Sequence, residues 1–174
     1  MLIDDINTTI DVWISDLQHR TLQELQARPA PKSWSLGQVY RHVIEETKFY
    51  LEQVDDCMKY NDNAQGEMDG RAKIMFANNT FPNQRIVGDT LTSEKVPQPE
   101  SISRLREDML RLKQEMNECA HKVMSSETVG KTAHPGHGYF SATEWLQFAE
   151  MHMRHHIKQK IRLEEELNLV RKSY

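Results

Sequence analysis

The sequence predicts an all-α fold, a four-helix bundle with one long crossover between its second and third helices, on three observations. Four segments space their apolar residues by threes and fours, the period of a single helix face. No segment alternates apolar and polar residues as a half-buried strand would. Residues 61–100 are polar, contain Gly66, Gly70, Gly88, Pro82, Pro97 and Pro99, and are long enough to cross the end of a bundle. All 174 residues are expected in one domain, a length that can bury a real core.

The first helix is read from Ile3, Ile6, Ile10, Trp13 and Leu17, with Ile14, Leu22 and Leu25 widening the stripe. Ala27-Arg28-Pro29 ends it, because proline and the residue before it both disfavour helix. The second opens at Ser35-Leu36-Gly37-Gln38, a capping-box pattern that ties down the first turn's amides. Leu36, Val39, Val43, Tyr50, Val54 and Cys57 then line one face to about residue 60. Within the crossover a short helix is expected near 71–78, and Phe76, Phe81, Ile86, Val87 and Leu91 are expected to hold the segment against the body. The third helix is the most regular: Ile102, Leu105, Met109, Leu112, Met116, Cys119 and Val123 keep the spacing of a bundle seam. The fourth starts at a second capping box, Ser141-Ala142-Thr143-Glu144, and runs to about Leu169. Met109, Met116, Met124, Met151 and Met153 read as core or near-core filler. Cys57 and Cys119, which lack any ligand or redox spacing, read as small core residues.

Composition narrows the function classes. A net charge of −4 with no Lys/Arg cluster argues against a nucleic-acid partner. No apolar run approaches the roughly 20 residues that cross a bilayer. The opening MLIDDINTTI carries acids where a signal peptide carries bases, so a cytoplasmic location is expected.

Chemistry concentrates in Met151-His152-Met153-Arg154-His155-His156. On a helix His152 and His156 lie one turn apart on one face, and that face also carries Trp145, Ala149, Leu163 and Leu167. Two inward imidazoles at this spacing can share a metal ion without distorting the backbone. A third ligand must come from elsewhere, and His42 is the candidate. It lies roughly 10 Å along the second helix, against roughly 16 to 22 Å along the fourth for the pair. If those helices run antiparallel, the three meet at one height. Histidines satisfied by hydrogen bonds alone remain the rival reading. Glu46 follows His42 by one turn; it either orients a ligand or serves as a general base, or it is a rim carboxylate paired with a nearby base. Gln38 and Gln159 face similarly, as ligand-orienting residues or as capping and surface groups. His155 is read as a rim residue, His134 and His137 as turn residues around Pro135-Gly136 or as a loop at a pocket mouth, and His19 and His121 as surface residues. Tyr139, Phe140 and Trp145 either shape a pocket or, more simply, form a hydrophobic staple at the helix start.

Three stretches carry a resemblance to a known family: Trp34-Ser35-Leu36-Gly37-Gln38-Val39-Tyr40-Arg41-His42; His134-Pro135-Gly136-His137-Gly138 leading into Ser141-Ala142-Thr143-Glu144-Trp145-Leu146; and His152-Met153-Arg154-His155-His156-Ile157-Lys158-Gln159. In order and spacing the chain resembles the DinB/YfiT family of metal-binding four-helix bundles. The resemblance implies that His42, His152 and His156 are the metal ligands, that the second and third helices run parallel, and that the protein forms a homodimer. It also implies a metal-dependent hydrolase or a transferase that joins low-molecular-weight thiols to electrophiles.

Three neutral imidazoles leave a divalent ion's charge unneutralised, so a water or thiol bound to it is acidified. One divalent ion per chain is therefore expected, zinc or nickel foremost; iron, manganese or copper also suit an all-nitrogen site. The expected activity is hydrolysis of a small-molecule substrate, with Glu46 as base, or transfer of a low-molecular-weight thiol cosubstrate. The alternative from another class is a non-catalytic, dimeric metal-binding or stress-response bundle.

Overall fold

The computed structural model describes residues 1–82 and 95–169; Ile86, Val87 and Leu91 lie outside that range. The described chain is mostly helical: α1 (Leu2–Leu17), α2 (Leu22–Gln26), α3 (Leu36–Lys59), α4 (Gly70–Asn78), α5 (Ile102–Met124), the strands β1 (Lys131–His134) and β2 (Gly138–Ser141), and α6 (Ala142–Glu166). Both anticipated capping boxes form, Ser35 with Gln38 and Ser141 with Glu144. Phe140 and Trp145 close the staple across the start of α6, ring centroids 5.0 Å apart.

The four long helices share one apolar core. Cross-helix contacts give their directions. His42 meets His156, Tyr50 meets Phe148, and the Cys57 thiol donates to the Phe140 carbonyl at 3.5 Å, so α3 and α6 run antiparallel. The Asn7 and Asn117 side chains exchange hydrogen bonds while Lys113 holds Asp11, so α1 and α5 are antiparallel too. Arg41 faces Asp108 at the start of α5, and Asp55 faces Cys119 toward its end, which leaves α3 and α5 parallel.

Three expectations are corrected. The first helix does not continue to Ala27: it stops at Leu17, and Thr21 caps α2 through its own box with Glu24. The break lets Arg20 turn inward to Asp16 and to Glu164 on α6, at 2.7 and 2.5 Å. Met124 is exposed, because it occupies the last turn of α5, beyond the seam. A two-stranded antiparallel sheet, absent from the sequence reading, pairs Lys131 with Ser141 and His134 with Gly138. Its strands are four residues each, too short for alternation to be legible. Gly138 sits at φ +80 against the Glu67 carbonyl, a conformation that favours glycine. Met109, Met116, Met151, Met153, Cys57 and Cys119 are core residues as expected. His19 and His121 are exposed.

One buried ionic knot crosses the fold. Asp16 and Arg20, which flank the end of α1, meet Lys160 and Glu164 from α6. The Tyr40 hydroxyl of α3 donates to Asp16, with the Trp13 carbonyl at the same 2.9 Å. Burial alone would raise the Asp16 carboxyl, but the Arg20 hydrogen bond and the Lys160 and Arg20 charges hold it below its ordinary value. Removing one member of such a cluster strands the others' charge, so Asp16→Ala should cost about 3–5 kcal/mol in urea denaturation near neutral pH. A depressed carboxyl stabilises the fold fully above its ordinary pKa of 3.8 and loses that contribution as pH falls through the lower folded value. The wild-type advantage over the variant should therefore shrink in acid below that point, and a constant advantage would exclude this account.

Candidate metal centre

The antiparallel pairing of α3 and α6 brings His42, His152 and His156 to one height. One ring nitrogen from each lies within 4.8 Å of the other two, and His152 is the deepest of the three. The ring centroids of His42 stand 5.3 Å from His152 and 4.7 Å from His156. Trp34 packs edge-on against His42 at 5.1 Å, and Tyr50 packs edge-on against His152 at 5.4 Å. The site therefore has aromatic walls.

Hydrogen bonds set which nitrogens face inward. The His156 Nδ1–H donates to the Gln159 side-chain carbonyl at 2.6 Å, since an amide oxygen can only accept. Nε2 of His156 therefore accepts from the Nε2–H of His152 at 3.1 Å, a proton that a bound metal ion would replace. Nδ1 of His152 is buried without a hydrogen-bond partner among the described residues. Two imidazoles on one tetrahedral ion, with bonds of about 2.0–2.1 Å, hold their donor atoms about 3.3 Å apart. The observed pair is already at that spacing, and three neutral nitrogens are a donor set that divalent transition metals accept. The residues fit a metal ion.

Burial keeps the imidazoles neutral. Burial pushes the His156 pKa down to about 3, with the His42 charge adding to the effect. Burial also lowers His152 strongly, and His156 and His42 contribute. His42 is lowered by burial as well, though the neighbouring Glu46 carboxylate works against the shift.

Glu46 is half-buried and stands outside the triad. It accepts from the Tyr50 hydroxyl at 3.1 Å, and burial first, then Glu46, holds that phenol protonated. Gln159 is the orienting residue for His156, while Gln38 caps α3 and donates to the Val96 carbonyl. His155 is half-buried against Phe81, at 5.4 Å. The hairpin places His134 and His137 side by side, centroids 4.8 Å apart. Burial first, then His137, lowers His134 to about 4. Sequence reasoning passed over His134 because its contacts with Phe140, Trp145 and Phe148 join residues of the hairpin and α6 that only the folded turn brings together.

A family model described as the DinB superfamily matches residues 8–159, a span that includes all three histidines and Glu46. No curated protein matches the chain.

The lowered imidazoles have a measurable consequence. In protein stripped with chelator, the His156 and His134 ring resonances should not titrate between pH 8 and about 5. Unfolded histidines accept protons near pH 6.5, folded ones only near 3 to 4. Stability is therefore complete above about 6.5 and should fall steadily as pH drops from there. Ordinary titration near 6.5 in two-dimensional NMR would contradict the buried, neutral site.

Proposed function

The chain belongs to the DinB superfamily, and we propose that it is a four-helix bundle that works as a metal-dependent enzyme on a small-molecule substrate. His42, His152 and His156 are the ligands of one divalent ion in this reading, zinc or nickel foremost. The observation that carries it is the convergence of three imidazole ring nitrogens within 4.8 Å of one another, two of them already at the spacing of shared ligands. A divalent ion held there would supply Lewis acidity, lowering the pKa of a water or a low-molecular-weight thiol presented to it.

The chain's own groups divide the remaining work. Gln159 fixes the His156 tautomer, and a neutral amide does so without offsetting the cation's charge. Glu46, one turn beyond His42, is in this reading the group that takes a proton from the nucleophile at a carboxylate oxygen. Tyr50 donates to that same carboxylate and steers it. Trp34, Tyr50 and Phe148 exclude bulk water, which strengthens each of these interactions. Hydrolysis and thiol transfer share this apparatus and differ in which nucleophile enters. Cytoplasmic placement and a homodimer complete the proposal.

Elemental mass spectrometry on untagged protein should find about one equivalent of metal in wild type and little in His42→Ala. With metal restored, turnover across a panel of esters, amides and electrophiles should disappear on chelation, and stimulation by added thiol would separate transfer from hydrolysis. One bound equivalent with no activity anywhere on the panel would favour the non-catalytic dimeric bundle instead. Gln159→Ala should weaken metal affinity by about 10- to 100-fold, as losses of ligand-orienting partners do, read by competition with a chromophoric chelator. Unchanged affinity would remove Gln159 from the site.

A further inference from the structure

Among the described residues, four charged ones are more than nine-tenths buried: Asp108, Glu150, Lys160 and Glu164. Glu150 accepts from Thr9 and Arg154 at 2.7 to 2.9 Å, and Lys160 donates to Glu164 at 2.6 Å. Asp108 is the exception. It is 6% exposed and has no hydrogen bond among the described residues, because Arg104 at 3.6 Å and Arg41 at 3.8 Å stand beyond the reach of an N–H···O bond. Arg41 is the same case seen from the cation. Its Nε is buried without a partner, and its terminal nitrogens stop 3.7 Å from Glu45 and 3.8 Å from Asp108. Polar groups left in this way carry a desolvation cost that a partner at hydrogen-bond distance removes. Both residues border one cavity of about 450 Å³ between α3 and the start of α5, a volume within the range of small-molecule sites. Pro97, Glu100 and Arg104 line it and are exposed, so it opens to solvent, while Pro99 and Leu105 give it apolar surface. None of the three triad histidines lines it.

We propose that this cavity binds a free α-amino acid with an apolar side chain. The ligand's ammonium group donates to Asp108, and its carboxylate accepts from Arg41 and Arg104. The two charges of an α-amino acid lie about 3 Å apart across one carbon, close to the 3.6 and 3.8 Å that separate the Asp108 oxygens from the two guanidinium groups. One zwitterion therefore supplies both missing partners at once. A simple anion would meet the arginines but face Asp108, and a simple amine would meet Asp108 but face two guanidinium groups. Each is repelled by a charge that the zwitterion satisfies. The positive end of α5, capped by Ser101 on the same cavity, adds to the side that takes the carboxylate. Pro99 and Leu105 receive the side chain. A purely structural ion cluster closes to hydrogen-bond distance, as Arg20 and Asp16 do at 2.7 Å; here the charges stand apart around open volume.

Nitrogen-resolved NMR of the full chain tests this directly, since the Arg41 Nε–H gives a resonance of its own. L-leucine should shift that resonance saturably. 3-Methylbutylamine, which lacks the carboxylate, and 4-methylpentanoate, which lacks the ammonium, should each bind at least about tenfold more weakly, the effect of one charge-assisted hydrogen bond. Asp108→Asn should erase the preference for L-leucine over 4-methylpentanoate. Arg41→Gln, followed through the backbone amides at the start of α5, should erase the preference over 3-methylbutylamine. The wild-type comparison of the three probes decides on its own where a variant does not fold. Binding of 4-methylpentanoate as tight as that of L-leucine overturns the assignment in favour of a plain anion site, and equally tight 3-methylbutylamine overturns it in favour of an amine site. No saturable shift with L-leucine, glycine or L-phenylalanine at millimolar concentration overturns the site altogether. Because the triad lines no part of the cavity, the outcome is independent of the metal reading above.

Discussion

The site depends on the register between α6 and the helices it packs against, and buried charge does more to fix that register than apolar contact. Asp16, Arg20, Lys160 and Glu164 sum to zero and lie within reach of one another in the interior. An apolar seam of similar volumes tolerates repacking. A charge moved one turn from its partner in the interior does not, because its desolvation is no longer offset. Lys160 follows His156 by one turn of α6, and Tyr40 precedes His42 by two residues on α3. The knot that ties Tyr40 to Asp16 and Lys160 to Glu164 therefore holds both halves of the triad at the same height. A second buried cluster, Glu150 with Thr9 and a bidentate Arg154, repeats the constraint nearer the start of α6.

Within that frame the triad uses burial where another site would use charge. The three imidazoles are kept neutral by their surroundings, and the orienting partner of His156 is an amide. The Glu46 carboxylate, one turn along α3 from His42, is engaged by Tyr50 and stands outside the ligand cluster. A cation bound there would keep most of its charge for the nucleophile, while aromatic walls limit competing water. The same burial makes the metal-free fold sensitive to acid, since each imidazole accepts a proton more readily when unfolded.

Much of this was legible in the sequence because it is written locally. Capping boxes name the starts of α3 and α6 with residues three apart, and apolar periodicity follows α3, α5 and α6 to within a few residues of their ends. His152 and His156 declare themselves by spacing on one helix. His42 needed one further step, the match of heights on antiparallel helices, and the fold meets it. The break after Leu17 was hidden by apolar Leu22 and Leu25 keeping the stripe's period across it. Its local signal was Thr21-Leu22-Gln23-Glu24, a third capping box, and its cause is distant: Arg20 reaching Glu164. Met124 shows the opposite failure, in which propensity and period extend one turn past the partner that would cover it.

The hairpin marks where local reading ends, and it ties together the two helices that carry the triad. Gly130 approaches the Cys57 and Tyr60 carbonyls at the end of α3 so closely that a Cβ would collide with them. The Lys131 amide donates to the Asp62 carbonyl at 2.9 Å, and Tyr139 and Asp69 donate to Glu67 and His137. Thr132 then accepts from the Trp145 indole at 2.7 Å, so the hairpin locks onto the first turn of α6. None of these partners is near in sequence, and strands of four residues carry no period of their own. Yet the hairpin joins the end of α3 to the start of α6, the two elements that hold the triad. His134 is thus fixed to the same rigid unit as the metal ligands, on backbone hydrogen bonds and aromatic contacts that leave it little freedom to swing. The turn that positions it is built from contacts with both site-bearing helices.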